Sequence, residues 1–235
     1  SSFGNKLLLL FLLVVLLSSV SAYWPQLSFK NLDKLWTWIV IYFLIICVVN
    51  TRRRFFIFFL IFLFASFKIS ASLAITWAGR GFTFTGWGLM GPPGFFQNSG
   101  ELAIQMVVYW PVALAFAMFV KPYLSKWLYL ICIAMPITAW AVILGSSTRG
   151  GQLALAVQFV TKYFGKIARP KLLVAIAFGA SLFWMVLPEE QKERFSTMGE
   201  DKTSQQRLLY WQNGWEMMLD HPALGVGYFN FIPYY

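Results

Sequence analysis

Two arginines stand where a membrane chain could use them on an anion. Arg149 lies in Gly145-Ser146-Ser147-Thr148-Arg149-Gly150-Gly151. The glycines allow close backbone approach, and a guanidinium can fork onto phosphate or carboxylate oxygens. The plain alternative is an arginine snorkelling to lipid headgroups. Hydroxyls and glycines around it, on the side of the membrane that disfavours positive charge, favour a ligand. Arg207 lies in Thr203-Ser204-Gln205-Gln206-Arg207-Leu208-Leu209-Tyr210-Trp211. Thr203 with Gln206 three residues later is a capping-box pattern. Leu208, Trp211, Trp215, Met218 and Leu219 then recur at helical spacing, so a helix is predicted over 204–220. Asp220-His221-Pro222 ends it, because Pro222 disfavours helical backbone at the residue before it. Arg207 then sits in the first turn, where the helix dipole disfavours a cation unless an anion lies near. Trp211, Gly214 and Met218 share its stripe, and Gly214 leaves room for a ligand. Trp211 and Gly214 therefore join Arg207 as candidate substrate contacts. The alternative is a surface arginine paired with Asp201 or another carboxylate, worth ~0–1 kcal/mol.

Other polar residues are weaker candidates. Glu101 follows Gln97-Asn98-Ser99-Gly100 at the mouth of an apolar run. It is either a contact for a sugar or lipid headgroup, or an acid favoured by a helix start. Lys68 interrupts an apolar run and qualifies as a functional candidate, although it lies close enough to one end to snorkel. His221, the one histidine, reads as a turn residue more readily than as a base. Gly225-Val226-Gly227-Tyr228 does not open a helix in a strand–helix unit, so a tight turn is preferred to a nucleotide loop.

The elements that must hold these residues are apolar. Hydrophobic residues make up 59% of the 235 and charged residues only 12%, against roughly 25% charged in soluble domains. Runs near the roughly 20 residues needed to cross a bilayer recur along the chain. The fold expected is an all-α, polytopic transmembrane bundle of about seven spans, with an amphipathic helical segment on the outer face. The spans fall at about 6–23, 35–49, 55–78, 101–120, 127–144, 150–164 and 172–187. Val20-Ser21-Ala22 would pass as a signal-cleavage site, but the spans that follow favour a retained helix. Pro136 is a candidate kink. Residues 1–187 thus form the transmembrane region, and 188–235 begin a large outer loop carrying the interfacial helix.

Charge sets the orientation. The net charge is +10, but the basic residues sit in short loops between spans rather than in a nucleic-acid patch. Nine fall on alternate loops (Arg52, Arg53, Arg54, Lys121, Lys126, Lys162, Lys166, Arg169, Lys171) and four on the opposite ones (Lys30, Lys34, Arg80, Arg149). The positive-inside rule makes the first set cytoplasmic. Residues 79–100, 146–151 and the tail then share the outer face. Seven of the nine acidic residues fall from Glu189 onward, which marks that tail as water-facing. Cys47 and Cys132 lie inside apolar runs and read as packing residues, so neither a metal nor a cofactor is expected.

Together these stretches resemble the O-antigen ligase and polymerase superfamily. The matching elements are residues 145–154, residues 207–211 leading into Asp220-His221-Pro222-Ala223-Leu224-Gly225-Val226-Gly227-Tyr228, and more weakly residues 94–103. Glu193-Arg194-Phe195-Ser196-Thr197-Met198 looks most like the exosortase-associated O-glycosylation branch. The resemblance implies a metal-independent glycosyltransferase of the bacterial cytoplasmic (inner) membrane. It would move a glycan from an undecaprenyl-pyrophosphate carrier to a saccharide, lipid-core or protein hydroxyl on the outer face. Arg149 and Arg207 match the positions expected to hold the pyrophosphate. The family's expected base, a histidine in a His-Asn-type motif further along the outer loop, has no counterpart between Gly227 and Tyr235, and His221 does not match it. The chain therefore reads as part of a longer protein. The rival functions are a polysaccharide polymerase of the same superfamily, a lipid-linked glycan transporter or flippase, and a structural partner in an envelope complex.

Overall fold

The computed structural model describes residues 3–84, 88–94, 96–167 and 202–235, with isolated positions between 168 and 201. Every regular element among the described residues is helical. In chain order these are α1 (Phe3–Val20), α2 (Pro25–Lys30), α3 (Leu32–Val48), α4 (Arg52–Gly79), α5 (Ser99–Val120), α6 (Lys126–Gly145), α7 (Arg149–Ile167), α8 (Lys202–Asp220) and α9 (Phe231–Tyr234). Among the described residues, five stretches are helical, long and apolar enough to cross a membrane: Phe3–Val20, Pro25–Val48, Arg52–Gly79, Ser99–Tyr123 and Lys126–Gly145. The expected sixth span is built as α7, whose Arg149, Gln152, Gln158, Lys162 and Lys166 set it apart from those five. The expected seventh, and the run from Pro188 to Arg194, fall outside the described residues apart from isolated positions. The chain divides into two compact units, Ser1–Arg54 with Thr197–Tyr235, and Phe55–Ser196.

In the second unit α5 and α6 form an antiparallel pair against which α4 and α7 pack. Leu63, Leu102, Met106, Tyr109, Met135, Val142 and Ile143 make a fully buried centre. Lipid offers no hydrophobic drive to pull helices together, so close packing and interhelical hydrogen bonds must hold them. Such bonds are present: Ser70 Oγ to Thr138 Oγ1 at 2.9 Å, Gln105 Nε2 to Ser66 Oγ at 3.3 Å, and Tyr109 OH to the Leu63 carbonyl at 3.1 Å. Pro111 lies inside α5. It has no N–H, so the Val107 carbonyl four residues earlier loses its helical donor. Gln158 of α7 repairs this, donating from Nε2 to the Val107 carbonyl at 3.1 Å while its Oε1 accepts Trp110 Nε1–H at 2.6 Å. The polar residue in α7 thus completes the proline-broken ladder of α5. Gln158→Leu removes both bonds and is expected to cost about 1–3 kcal/mol, read as a lower thermal midpoint of the purified protein. An unchanged midpoint would contradict this role.

In the first unit the loop after α8 docks on the junction between α1 and α3. The Ser18 hydroxyl donates to the Leu224 carbonyl and the Ser28 hydroxyl to the Tyr228 carbonyl, both at 2.7 Å. Tyr23 N–H donates to the Val226 carbonyl at 3.0 Å. Asn230 is fully buried at the centre. Its Oδ1 accepts Trp24 N–H at 2.7 Å, and its Nδ2 donates to Ser28 Oγ at 2.7 Å and the Tyr228 carbonyl at 2.9 Å. Gly227, at φ +108°, lies so close to Ala22 that an added Cβ would overlap it. Lys34 Nζ closes the seat over the Phe229 ring, 4.5 Å from its centre. This packing makes α1 part of the folded unit, because a cut after Ala22 would sever the seat.

Candidate functional site

The turn from α6 to α7 sits at the end of the bundle where α5 begins. Ser146 N–H donates to the Val142 carbonyl at 2.8 Å and ends α6, and Gln152 N–H donates to the Thr148 carbonyl at 3.1 Å and opens α7. Arg149 is the first residue of α7. The opening amides of an α-helix lack intrahelical acceptors, and its dipole favours negative charge there. The two glycines after Arg149 serve different ends. Gly151 faces the bundle, where an added Cβ would stand 2.8 Å from Ala103 Cβ of α5, whereas Gly150 borders open space. One lets α7 pack tightly against α5, and at the other a Cβ would meet no neighbour.

The 79–100 loop is pinned to this turn. Leu89 N–H donates to the Gly145 carbonyl at 2.9 Å, and the Leu89 side chain is buried in the core. Gly145 is closed in by Leu89 and Trp77, which an added Cβ would meet at 2.7 and 2.9 Å. Two of the three expected outer loops are therefore joined, and the third, the tail, belongs to the other unit. Glu101 is engaged locally. Asn98 Oδ1 accepts Glu101 N–H at 3.0 Å, and Glu101 Oε2 accepts Gln97 N–H at 2.8 Å, a reciprocal cap on α5. Lys68 is exposed on α4.

The tail carries the other candidates. Helix α8 begins at Lys202, so Thr203 already lies within its first turn and the N-cap falls outside the described residues. Arg207 is exposed in the second turn. Beyond it α8 and α9 border an apolar groove of about 810 Å³ lined by Tyr210, Trp211, Gly214, Trp215, Met218 and Phe231, among others. Trp211 and Trp215 are 78% and 62% exposed, as suits rings placed at a membrane interface. Gly214 lies on the groove floor, where an added Cβ would meet Phe231 at 3.8 Å. His221 is a turn residue. Its N–H bonds the Met217 carbonyl at 3.0 Å, its carbonyl accepts Gly225 N–H at 3.0 Å, and its ring stands edge-on to Tyr234 at 5.3 Å. Desolvation, then the neighbouring Asp220 carboxylate, pushes the Tyr234 phenol up; Tyr228 is raised by burial and by the charge of Asp33. Both phenols stay protonated at neutral pH.

Sequence reasoning missed Gly88 and Leu89 as the pin, Asn230 as the docking centre and Gln158 as partner to Pro111. Only the last had a local signal, a glutamine and a proline on separate apolar runs.

The fold and these residues define an all-helical membrane protein with a glycine- and hydroxyl-rich arginine turn at one end of its bundle. Residues 134–235 match the family model described as O-antigen ligase. The resemblance to that family is thus shown over a stretch that includes Arg149, Arg207, Trp211 and Gly214, while Glu101 lies ahead of it. No curated protein and no solved structure matches the chain.

Proposed function

We propose that this chain belongs to a membrane glycosyltransferase that takes a glycan from an undecaprenyl-pyrophosphate carrier and joins it to a saccharide, lipid-core or protein hydroxyl. The reaction is assigned to the outer face of the bacterial cytoplasmic membrane. The observation that carries this reading is Arg149 at the opening of α7, inside the matched stretch, with open space beside Gly150. As the glycosidic C–O bond breaks, its electron pair passes to a pyrophosphate oxygen. The acceptor oxygen bonds to the anomeric carbon, and the acceptor proton passes to a base. Guanidinium groups and helix-start amides stabilise the growing charge on the leaving group. Arg207 would hold the same pyrophosphate, and the Trp211–Gly214 groove would take the first isoprene units of the carrier. Glu101 supports the site by capping α5 beside it, and in this proposal its substrate contact is through the sugar.

Docking of residues 224–230 on the α1–α3 junction supports a common outer side for both, because they share one end of α1. With a growing chain as acceptor, the same chemistry would polymerise instead of ligate.

The test is transfer from a radiolabelled lipid-linked glycan by the full protein in liposomes. Arg149→Lys and Arg207→Lys should each lower transfer about a hundredfold at equal protein level, because lysine cannot fork onto two oxygens. Full activity of both variants would sink the assignment.

A further inference from the structure

The α6–α7 turn holds three consecutive hydroxyls, and two of them are accounted for. Ser146 Oγ donates its one proton to the Ile143 carbonyl at 2.7 Å. Thr148 Oγ1 stands 2.8 Å from Ser146 Oγ and must therefore be the donor of that second bond. Ser147 is different. It is 9% exposed, and its Oγ is buried without a hydrogen-bond partner. Buried hydroxyls are almost always paired, because an unpaired one gives up its bonds to water for nothing. This hydroxyl precedes Thr148, whose carbonyl accepts the first bond of α7, and it lies two residues from Arg149. A proton without an acceptor is thus held in the same turn as a guanidinium and the positive end of a nineteen-residue helix. The unpaired hydroxyl and the helix start both suit an anionic oxygen.

We infer that Ser147 is a further ligand of the donor diphosphate, giving its hydroxyl proton to a phosphate oxygen gripped by Arg149. This rests on the donor role proposed for Arg149 and adds to it. The arginine supplies charge, which any phosphate satisfies. The serine supplies a short, directional donor fixed by the turn, which favours one placement of the diphosphate over others.

Ser147 also lends itself to a clean substitution. Its φ is +55°, a left-handed value that glycine adopts without penalty. Ser147→Gly therefore removes the hydroxyl without straining the turn, and Ser147→Ala removes it while keeping the β-carbon. The probe is farnesyl diphosphate titrated onto the full chain in nanodiscs, with farnesol as the control for apolar binding alone. Ser147→Gly should hold or raise the thermal midpoint yet weaken farnesyl diphosphate binding about tenfold to a hundredfold, as expected for loss of a hydrogen bond to a charged group. Farnesol binding should stay the same. Ser147→Ala should weaken diphosphate binding to the same extent. Unchanged diphosphate affinity in Ser147→Gly, with Arg149→Lys impaired, overturns the serine role and leaves the arginine assignment standing. Unchanged affinity in both variants overturns the two together.

Discussion

Replacing Asn230 with aspartate is expected to release the tail from its seat, at a cost of about 3–5 kcal/mol. The side chain is fully buried and its amide is used at both ends. A carboxylate keeps the bond from Trp24 N–H, but it turns the two donors toward Ser28 Oγ and the Tyr228 carbonyl into acceptors. An oxygen would then face the Tyr228 carbonyl oxygen across the present 2.9 Å, and a carboxylate charge would be buried at the centre of the seat. Burial disfavours the ionised form, so the folded-state pKa of the new carboxyl would exceed its unfolded value. The penalty is therefore full above the folded pKa and shrinks as pH falls through it, because the protonated acid can again donate to Tyr228. The thermal midpoint of Asn230→Asp should lie well below wild type at neutral pH and approach it on acidification. A midpoint equal to wild type at neutral pH would refute the seat.

Gly88→Ala is expected to cost about 2–5 kcal/mol. Gly88 has φ +67°, and an added Cβ would overlap the Ser146 carbonyl. The left-handed backbone alone costs an alanine about 1–2 kcal/mol. Overpacking adds about 1–3 kcal/mol, and here the obstacle is main chain, which cannot swing aside. Moving the loop away would also break the bond from Leu89 N–H to the Gly145 carbonyl and pull Leu89 from the core. Gly81→Ala is the matched control. Its φ is +68° with open space around it, so it carries the backbone penalty alone. Thermal midpoints of the two variants separate the terms, and equal losses would show that the Gly88 contact does not hold the turn.

Five of the seven expected spans were legible because a bilayer selects them by length and hydropathy, which the sequence displays directly. The arginine turn was legible for a related reason: Ser146, Thr148 and Arg149 are polar residues bounded by apolar runs, and glycines there ask for an explanation. What could not be read were contacts between distant residues. Hydropathy reports whether a residue meets lipid or water, and says nothing of which carbonyl its amide will find. Asn230 bonds to Trp24 and Ser28, some two hundred residues away, and nothing beside it in the chain points to them. Gly88 looked like one glycine among several, and only the position of Ser146 distinguishes it from Gly81. Gln158 was half visible, since a glutamine on an apolar run needs a partner, but its pairing with the carbonyl freed by Pro111 requires α5 and α7 side by side.

The seat for the tail has a consequence for how the protein is made. Its two halves are about two hundred residues apart in the chain, with Ser18 bonded to Leu224 and Trp24 to Asn230. At a synthesis rate of about 5–20 residues per second, the second half emerges roughly 10–40 s after the first. Throughout that interval the hydroxyls of Ser18 and Ser28 have no tail to bond. Closure of the seat is thus a late event in biosynthesis.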